Sequence, residues 1–272
     1  MNVTNAGEDY TLALAREELF LLAGLLQLRG LLGVEDPLLG LLAGEVDERL
    51  ERARQSLVGQ GLLEVQVDGS LAVDAAVGAL VQALGRASYV LSASHTLANG
   101  ASQACLIHLA GDLWVEQDAL PNGQVLLTAV RDPQILARRL RDFLRLPHVG
   151  PGPGPALTLA EASLQQAQRL GREQGTAAAA ALLSQAGVPA AVAPALAAAL
   201  DTGSLALLRR ASGGLEWVEG LAWVAGEGGS WCLAPLPPSD PAVVRLVPAG
   251  TAEIGAQAEA LVLWACGAEV RA

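Results

Sequence analysis

Two hydrophobic periods alternate along this sequence, and they predict its elements before composition is considered. Apolar residues first recur every three to four positions, which is typical of amphipathic helices, over residues 11–33, 44–60 and 74–85. Between the second and third helical stretches, a short alternating segment is centred on Asp68-Gly69, a pair that favours a tight hairpin turn. Helices followed by a two-stranded wing predict a winged-helix-like segment over residues 11–85.

From residue 88 the period changes to two, and four alternating segments follow one another up to residue 130. Asn99-Gly100, Gly111-Asp112 and a Pro-Asn-Gly turn separate these segments. Asp132 then precedes Pro133, the combination of N-cap residue and first-turn proline that opens a helix. The pattern predicts a four-stranded antiparallel meander and a closing helix over residues 88–146.

Three consecutive Gly-Pro steps interrupt both periods at the middle of the chain, and we predict a hinge over residues 149–156. We expect an exposed and fairly stiff connector there. After it the same order begins again, with helices predicted over 157–200 and a meander with a closing helix over 204–266. Thr158 and Glu161 match a capping box at the first of these helices.

The fold class predicted is α+β, a quasi-two-fold repeat of helices, a four-stranded meander and a closing helix. Its halves are residues 1–148 and 157–272. Val125–Leu144 overlays Val244–Leu263 without a gap and with five identical residues. Two unrelated α+β halves of similar composition remain the alternative. We expect the meanders to join or pack together, because pairing removes exposed strand edges, with the helical parts at opposite ends.

Composition narrows the function classes. Hydrophobic residues make up 52% of the 272 residues and charged residues 17%, which indicates a folded chain rather than a disordered one. The net charge is −11, and all 17 basic residues are arginine. An acidic chain repels phosphate backbones, so nucleic-acid binding is disfavoured. Three widely spaced cysteines predict free thiols in a reducing cytosol.

No membrane segment is predicted. The uncharged stretch Thr176–Leu200 is mostly alanine and is broken by Gly187, Pro189 and Pro194, so we expect two short packed helices there. The N-terminal residues lack the basic and apolar regions of a signal peptide. A cytoplasmic location is the resulting expectation.

No catalytic, cofactor or metal motif is present in the sequence, and we predict a protein that is not an enzyme and that holds no cofactor or metal. The sequence has three histidines, His95, His108 and His148, and none lies at zinc-ligand spacing from a cysteine. The sequence also has no G-x-S-x-G elbow that would present a serine nucleophile to a histidine. The alternative function is a winged-helix transcription regulator that binds DNA. Against it, the helix before the wing carries four acids against three arginines, and the wing has no basic residue.

Two groups of side chains are candidates for partner binding. Residues 131–145 carry five arginines, from which we take Arg138, Arg141 and Arg145 as a docking stripe for an acidic partner; a solvated face is the alternative. The second group is aromatic: Trp217, Trp223 and Trp231. Trp217 and Trp223 are an even number of residues apart, so they share a sheet face if no bulge intervenes. They are then interface anchors or, alternatively, core residues.

Three segments carry a resemblance to a known family: "RQSLVGQGLLEVQVDGSLAVDAAVGALVQAL", "GVPAAVAPALAAALDTGSLALLRRA" and "VRLVPAGTAEIGAQAEALVL". Together with the order of elements, they resemble the helix–wing–helix segment, the second-half pattern and the closing strand and helix of the EspG family. This is a family of chaperones associated with type VII (ESX) secretion. The similarity extends from Tyr10 to about Ala265, and none of these segments is catalytic.

This resemblance implies a non-enzymatic cytosolic adaptor or chaperone that binds the helical tip of a secreted PE–PPE-like heterodimer. It implies a binding surface made of the central sheet and the second helical bundle. The corresponding positions are the strands of Trp217, Trp223 and Trp231 and the helices of Val188–Leu200, from which we take Val188, Val192 and Leu196. The unusually Ala- and Leu-rich sequence and its Gly-Pro hinge depart from the family pattern.

Overall fold

The computed structural model describes residues 10–28, 30–212, 214–235 and 243–269. The ends of the two predicted halves, residues 1–9 and 270–272, lie outside the described residues, as does the stretch 236–242 between two predicted strands. The first half contains β1 (Thr11–Leu14), α1 (Arg16–Leu25), α2 (Ala43–Gly59), β2 (Leu63–Val65), β3 (Leu71–Val73), α3 (Ala75–Arg86), β4 (Tyr89–Thr96), β5 (Ser102–Ala110), β6 (Leu113–Ala119), β7 (Val125–Val130) and α4 (Pro133–Leu144). The second contains β8 (Leu157–Ala160), α5 (Glu161–Gln174), α6 (Thr176–Gln185), α7 (Ala193–Ala197), β9 (Asp201–Ala211), β10 (Gly214–Gly226), β11 (Gly229–Pro235), β12 (Val243–Pro248) and α8 (Thr251–Glu269).

One ten-stranded sheet runs through both halves of the chain, in the order β1-β7-β6-β5-β4-β9-β10-β11-β12-β8. All its neighbouring strands are antiparallel. The halves meet where β4 pairs with β9, from Tyr89 opposite Arg209 to Thr96 opposite Thr202. The sequence left open whether the strands of the two halves join or only pack together. In the structure they join in one sheet.

The two faces of the sheet carry different helices. On one face, called here the helix-pair face, α4 and α8 pack on apolar side chains of the central strands, among them Leu91, Ile107 and Leu207. The other face, the lobe face, carries two separate helical groups. The N-terminal lobe (α1–α3 with β2 and β3) covers β6, β7 and β1, and the C-terminal lobe (α5–α7) covers β11, β12 and β8.

Side-chain caps begin two of the predicted helices. The Asp74 carboxylate accepts hydrogen bonds from the backbone N–H groups of Ala76 and Val77 at the start of α3. Asp132 accepts from the N–H of Gln134, with Pro133 as the first residue of α4. Both caps satisfy donors that the first helical turn leaves free.

The start of each half differs from the sequence prediction. Thr11–Leu14 and Leu157–Ala160 were expected to open helices, yet both are strands, paired with β7 and β12. Thr158 consequently lies in β8 and caps nothing, and α5 begins at Glu161 without a side-chain cap. Pairing with an edge strand satisfies these backbone groups, and this overrides the local capping signal.

The Gly-Pro hinge is in closer contact with the sheet than an exposed connector would be. Most of its residues are exposed, but Gly152 is buried, and its N–H donates to the carbonyl of Ser230 in β11 (2.8 Å). The Ser230 N–H in turn donates to the carbonyl of Gly150 (3.1 Å). A Cβ on Gly152 would collide with the ring of Trp231. The hinge therefore packs on the sheet as a fixed connection.

Residues 176–200 form two short helices, α6 and α7, as predicted. Within the described part of the chain, no helix combines the length and the apolarity needed to cross a membrane.

Candidate partner-binding site

A groove opens on the lobe face of the sheet, between α5 and the central strands, with a volume of about 330 Å³. Its floor is formed by residues of β4, β9, β10 and β11, and one wall by α5. The residues that define this groove, called here the C-terminal groove, are Ser94, Thr96, Glu161, Leu164, Gln165, Gln168, Thr202, Gly203, Ser204, Ala222, Trp223, Val224 and Leu233.

Small side chains keep this part of the lobe face low. Ser94 and Ser204 lie opposite each other on β4 and β9, with their hydroxyl oxygens 2.9 Å apart. Ala206 and Ala222 continue the surface on either side, and all four side chains are half-buried. A strip of serine and alanine between two helical lobes leaves room for a protein segment and offers both apolar and hydroxyl contacts.

One polar atom in the groove has no partner. The amide nitrogen Nε2 of Gln168 on α5 is shielded from solvent and makes no hydrogen bond. Its neighbour Gln165 differs, because its Nε2 donates to Glu161 at 2.8 Å. Buried amides are nearly always paired, so an unpaired one in a groove marks a position where a ligand group can bind.

Trp217 lies on the lobe face and is 60% exposed, whereas Trp223 is 2% exposed on the helix-pair face. A β-bulge between Trp217 and Glu219 shifts the register, so that Trp217 pairs with Leu208 and Glu219 with Leu207. The expectation that Trp217 and Trp223 share a face depended on the absence of a bulge, and it is wrong for this reason. The ring of Trp217 lies over Gly220, where a Cβ would collide with it.

The remaining apolar candidates are inside the protein. Trp231 is fully buried in the core of the C-terminal lobe, and Val188, Val192 and Leu196 belong to the same core. They shape the lobe that forms one wall of the groove, but their side chains do not reach the surface. A role for these residues in direct contact with a partner stays a prediction.

The arginine stripe lies on the other side of the molecule. Arg138, Arg141 and Arg145 are exposed on or just after α4, which covers the helix-pair face. Arg141 approaches Glu259 of α8 at 3.9 Å, and a cleft of about 900 Å³ is lined by Arg141 and Arg145 but not by Arg138. The structure therefore divides the predicted site into two surfaces, with Trp217 on the lobe face and the arginines opposite.

Burial shifts the pKa of several histidine and cysteine side chains. His108 is fully buried, with Nε2 2.9 Å from Oε1 of Gln117, and burial lowers its pKa to about 4. His95 stacks edge-on against Phe143, and burial, with a smaller effect of Arg145, lowers its pKa. Burial raises the pKa of Cys105 and that of Cys266, the latter to about 12, so these thiols remain protonated. In the described ranges, no three His, Cys, Asp or Glu side chains converge as metal ligands.

The arginines of α2, the helix before the wing, lie close to carboxylates of the protein itself. Arg49 pairs with Glu17 of α1 at 3.0 Å, and Arg54 pairs with Glu51 at 2.7 Å. Arg52 lies 3.9 Å from Glu48. These carboxylates offset the charges that contact with DNA phosphates would need.

Comparison with protein-family models gives a match to the EspG family over residues 17–260, which is most of the chain. The chain belongs to the EspG family. The resemblance noted from three segments of the sequence is thereby confirmed. Comparison with curated proteins gives no match.

The solved structures include a similar EspG protein. It is the Mycobacterium tuberculosis type VII secretion system chaperone EspG5, in complex with the PE25–PPE41 dimer. The TM-score is 0.61 at 17% identity, and the match covers 93% of this chain and 94% of EspG5. At this identity the match establishes a shared fold over the matched 93% of the chain.

Sequence reasoning did not find the floor of the groove in this EspG-family chain. Ser94, Ser204 and Ala222 are small residues in strands, and they come together only because β4, β9 and β10 are neighbours. Gln168 is one of several glutamines along α5, and its sequence neighbours give no sign of its unpaired amide. The available signal in the sequence was that these strand positions carry small rather than aromatic or large aliphatic side chains. Small side chains are expected where another segment covers a sheet.

Proposed function

We propose that this chain is a cytosolic chaperone of a type VII secretion system, which binds a helical secreted heterodimer of the PE–PPE kind on the lobe face of its sheet. The observation that carries the proposal is the uncovered strip of small residues between the two lobes, bordered by the exposed Trp217. Membership of the EspG family and the likeness to EspG5, bound in its structure to the PE25–PPE41 dimer, support a chaperone rather than an enzyme.

The binding chemistry follows from the side chains. A helical tip that lies in the C-terminal groove would bury apolar surface against Ala222, Leu164 and Leu233 and would meet hydroxyl groups at Ser94 and Ser204. Burial of apolar surface stabilises the complex by about 25 cal/mol per Å² before the costs of association. Such coverage also keeps the aggregation-prone surface of the partner away from water.

We infer that the scaffold is a quasi-two-fold repeat with its halves in residues 1–148 and 157–272. Two rows of paired residues across the lobe face support this. One row contains Leu12, Leu127, Gln117, Leu106, Ser92 and Ala206. The other contains Leu157, Leu246, Leu233, Ala222, Ser204 and Ser94. Each row passes through corresponding strands in the same order and crosses from one half into the other at the β4–β9 pair.

Co-expression with a PE–PPE heterodimer from the same genome tests the function. We expect the wild-type chain to co-purify with the heterodimer as a single complex in size-exclusion chromatography. The variant Ala222→Arg places a long charged side chain on the floor of the groove and should abolish co-purification. The matched control, Ala260→Arg, makes the same change on an exposed position of α8 on the opposite side and should bind as wild type.

Binding by Ala222→Arg equal to that of wild type, with both variants folded by circular dichroism, would contradict the location. A separate measurement, retention on a duplex-DNA column, tests the alternative function of DNA binding. This acidic chain should pass through a duplex-DNA column at low salt, and retention that salt reverses would favour the regulator.

A further inference from the structure

At the corresponding place in the first half of the sheet, a segment of the chain itself lies against the strands, beside a smaller pocket of about 280 Å³. The connector between α1 and α2 crosses the first row of paired residues. The backbone carbonyl of Leu32 accepts a hydrogen bond from Nε2 of Gln117 (3.2 Å). Gly33 follows with φ of +72°, and a Cβ there would collide with Leu106. Gln117 and Leu106 are consecutive members of that row.

The corresponding members of the second row, Leu233 and Ala222, line the C-terminal groove. The connector thus shows how a protein segment sits against this sheet. It places a residue without a side chain close to the strands, and it turns one backbone carbonyl towards an amide donor. In the first half that donor is held in position, because Oε1 of Gln117 lies 2.9 Å from Nε2 of His108.

The second groove holds an amide donor without its acceptor. Nε2 of Gln168 is shielded from solvent and unpaired at the wall of the groove, whereas the donor in the first half is paired with the connector. An unpaired buried donor costs folding free energy, so a ligand that supplies an acceptor recovers that cost on binding. The tip of a helical protein has such acceptors, because the last four carbonyls of a helix have no partner within it.

We propose that Gln168 donates a hydrogen bond to a free backbone carbonyl in the turn at the helical tip of the partner, which sits in the C-terminal groove as the α1–α2 connector sits in the first half. This inference rests on the proposed function and adds the residue and the partner atom that recognise each other.

Two variants of Gln168 test the inference, with Gln166→Leu as a matched control on the exposed side of the same helix. In the free chain, Gln168→Leu removes the unpaired amide, and we expect the melting temperature to rise by about 2–4 °C. Gln166→Leu should leave it unchanged. A residue with a purely structural role in α5 would give the opposite result, a lower melting temperature.

The second measurement is the affinity for the PE–PPE heterodimer that co-purifies with the wild-type chain. We expect Gln168→Leu and Gln168→Glu, which both lack the donor, to bind about tenfold more weakly, and Gln166→Leu to bind as wild type. The glutamate variant keeps the shape of the side chain but adds a negative charge, so the loss in the uncharged leucine variant is the result that reports on the missing donor.

Two results would overturn the inference: a lower melting temperature for Gln168→Leu, or an unchanged affinity in both Gln168 variants. A wild-type chain that binds no such heterodimer overturns the proposed function and this inference together. Failure of the proposed function is recognised from the wild-type chain, which then does not bind the heterodimer. Failure of the inference alone is recognised when the wild-type chain binds and both Gln168 variants bind with the same affinity.

Discussion

At the scale of single residues, one extra residue in β10 decides which tryptophan can meet a partner. Alternation along a regular strand places Trp217 and Trp223 on one face, but the bulge at Trp217/Glu219 reverses the alternation between them. Nothing in the sequence of this segment requires a bulge. The sequence therefore identified the tryptophans as candidates, and the pairing of β10 with β9 exposed Trp217 and buried Trp223.

His108 gives a prediction at the same scale. Burial lowers its pKa to about 4, whereas in the unfolded chain it is about 6.5, so the folded state binds fewer protons between these values. The free energy of unfolding should fall as the pH drops through this window, by up to on the order of 3 kcal/mol for the complete shift. Titration of the labelled imidazole by NMR should show neutral His108 at pH 5; a midpoint near 6.5 would contradict its burial.

Asp118 should have the opposite effect to His108 on the pH dependence of stability. Burial, and then the nearby Glu116 carboxylate, raises the pKa of Asp118 to about 6, so its contribution has the opposite sign between pH 4 and 6. Asp118→Asn removes this contribution. Denaturant unfolding of the variant should therefore show a steeper loss of stability on acidification than that of wild type.

At the scale of elements, the strands and closing helices could be predicted from the sequence, and the edge strands could not. The four residues of β1 and of β8 are too few to show a period, and each directly precedes a real helix. Their strand conformation comes from hydrogen bonds to β7 and β12, which are more than 80 residues away in sequence. Local signals such as Thr158 are overridden when a distant strand supplies backbone partners.

The hinge gives the prediction at this scale. Gly152→Ala adds a Cβ that meets the ring of the fully buried Trp231, and overpacking of this kind costs about 1–3 kcal/mol. Gly150→Ala is the control, because a Cβ at Gly150 meets no atom within 4 Å. Thermal unfolding should show a lower melting temperature for Gly152→Ala alone. Equal values for the two variants would mean that the hinge does not pack on β11.

At the scale of the whole molecule, the β4–β9 pair joins the halves into one body with one core on the helix-pair face. Leu91 of β4 and Leu207 of β9 belong to the same cluster as side chains of α4 and α8. Helices from both halves therefore cover a single central sheet. On the lobe face each lobe packs on its own end of the sheet, and the C-terminal groove lies between α5 and the central strands.

A shared core predicts cooperative unfolding. Calorimetry of the whole chain should give one transition whose calorimetric and van't Hoff enthalpies agree, because neither half can unfold without exposing the pairing edge of the other. Two resolved transitions would show that the halves are independent domains joined at the hinge.

The sequence by itself determined most of the element types, the acidic and lysine-free character of the chain, and the likeness to the EspG family. These depend on local periodicity, turn residues and composition, which each segment carries with it. Only the tertiary structure decided the shared sheet, the edge strands, the face of Trp217, and the groove with its unpaired Gln168. Each of these depends on which distant strands become neighbours, and antiparallel pairing over long separations in sequence leaves no local mark on the residues that it brings together.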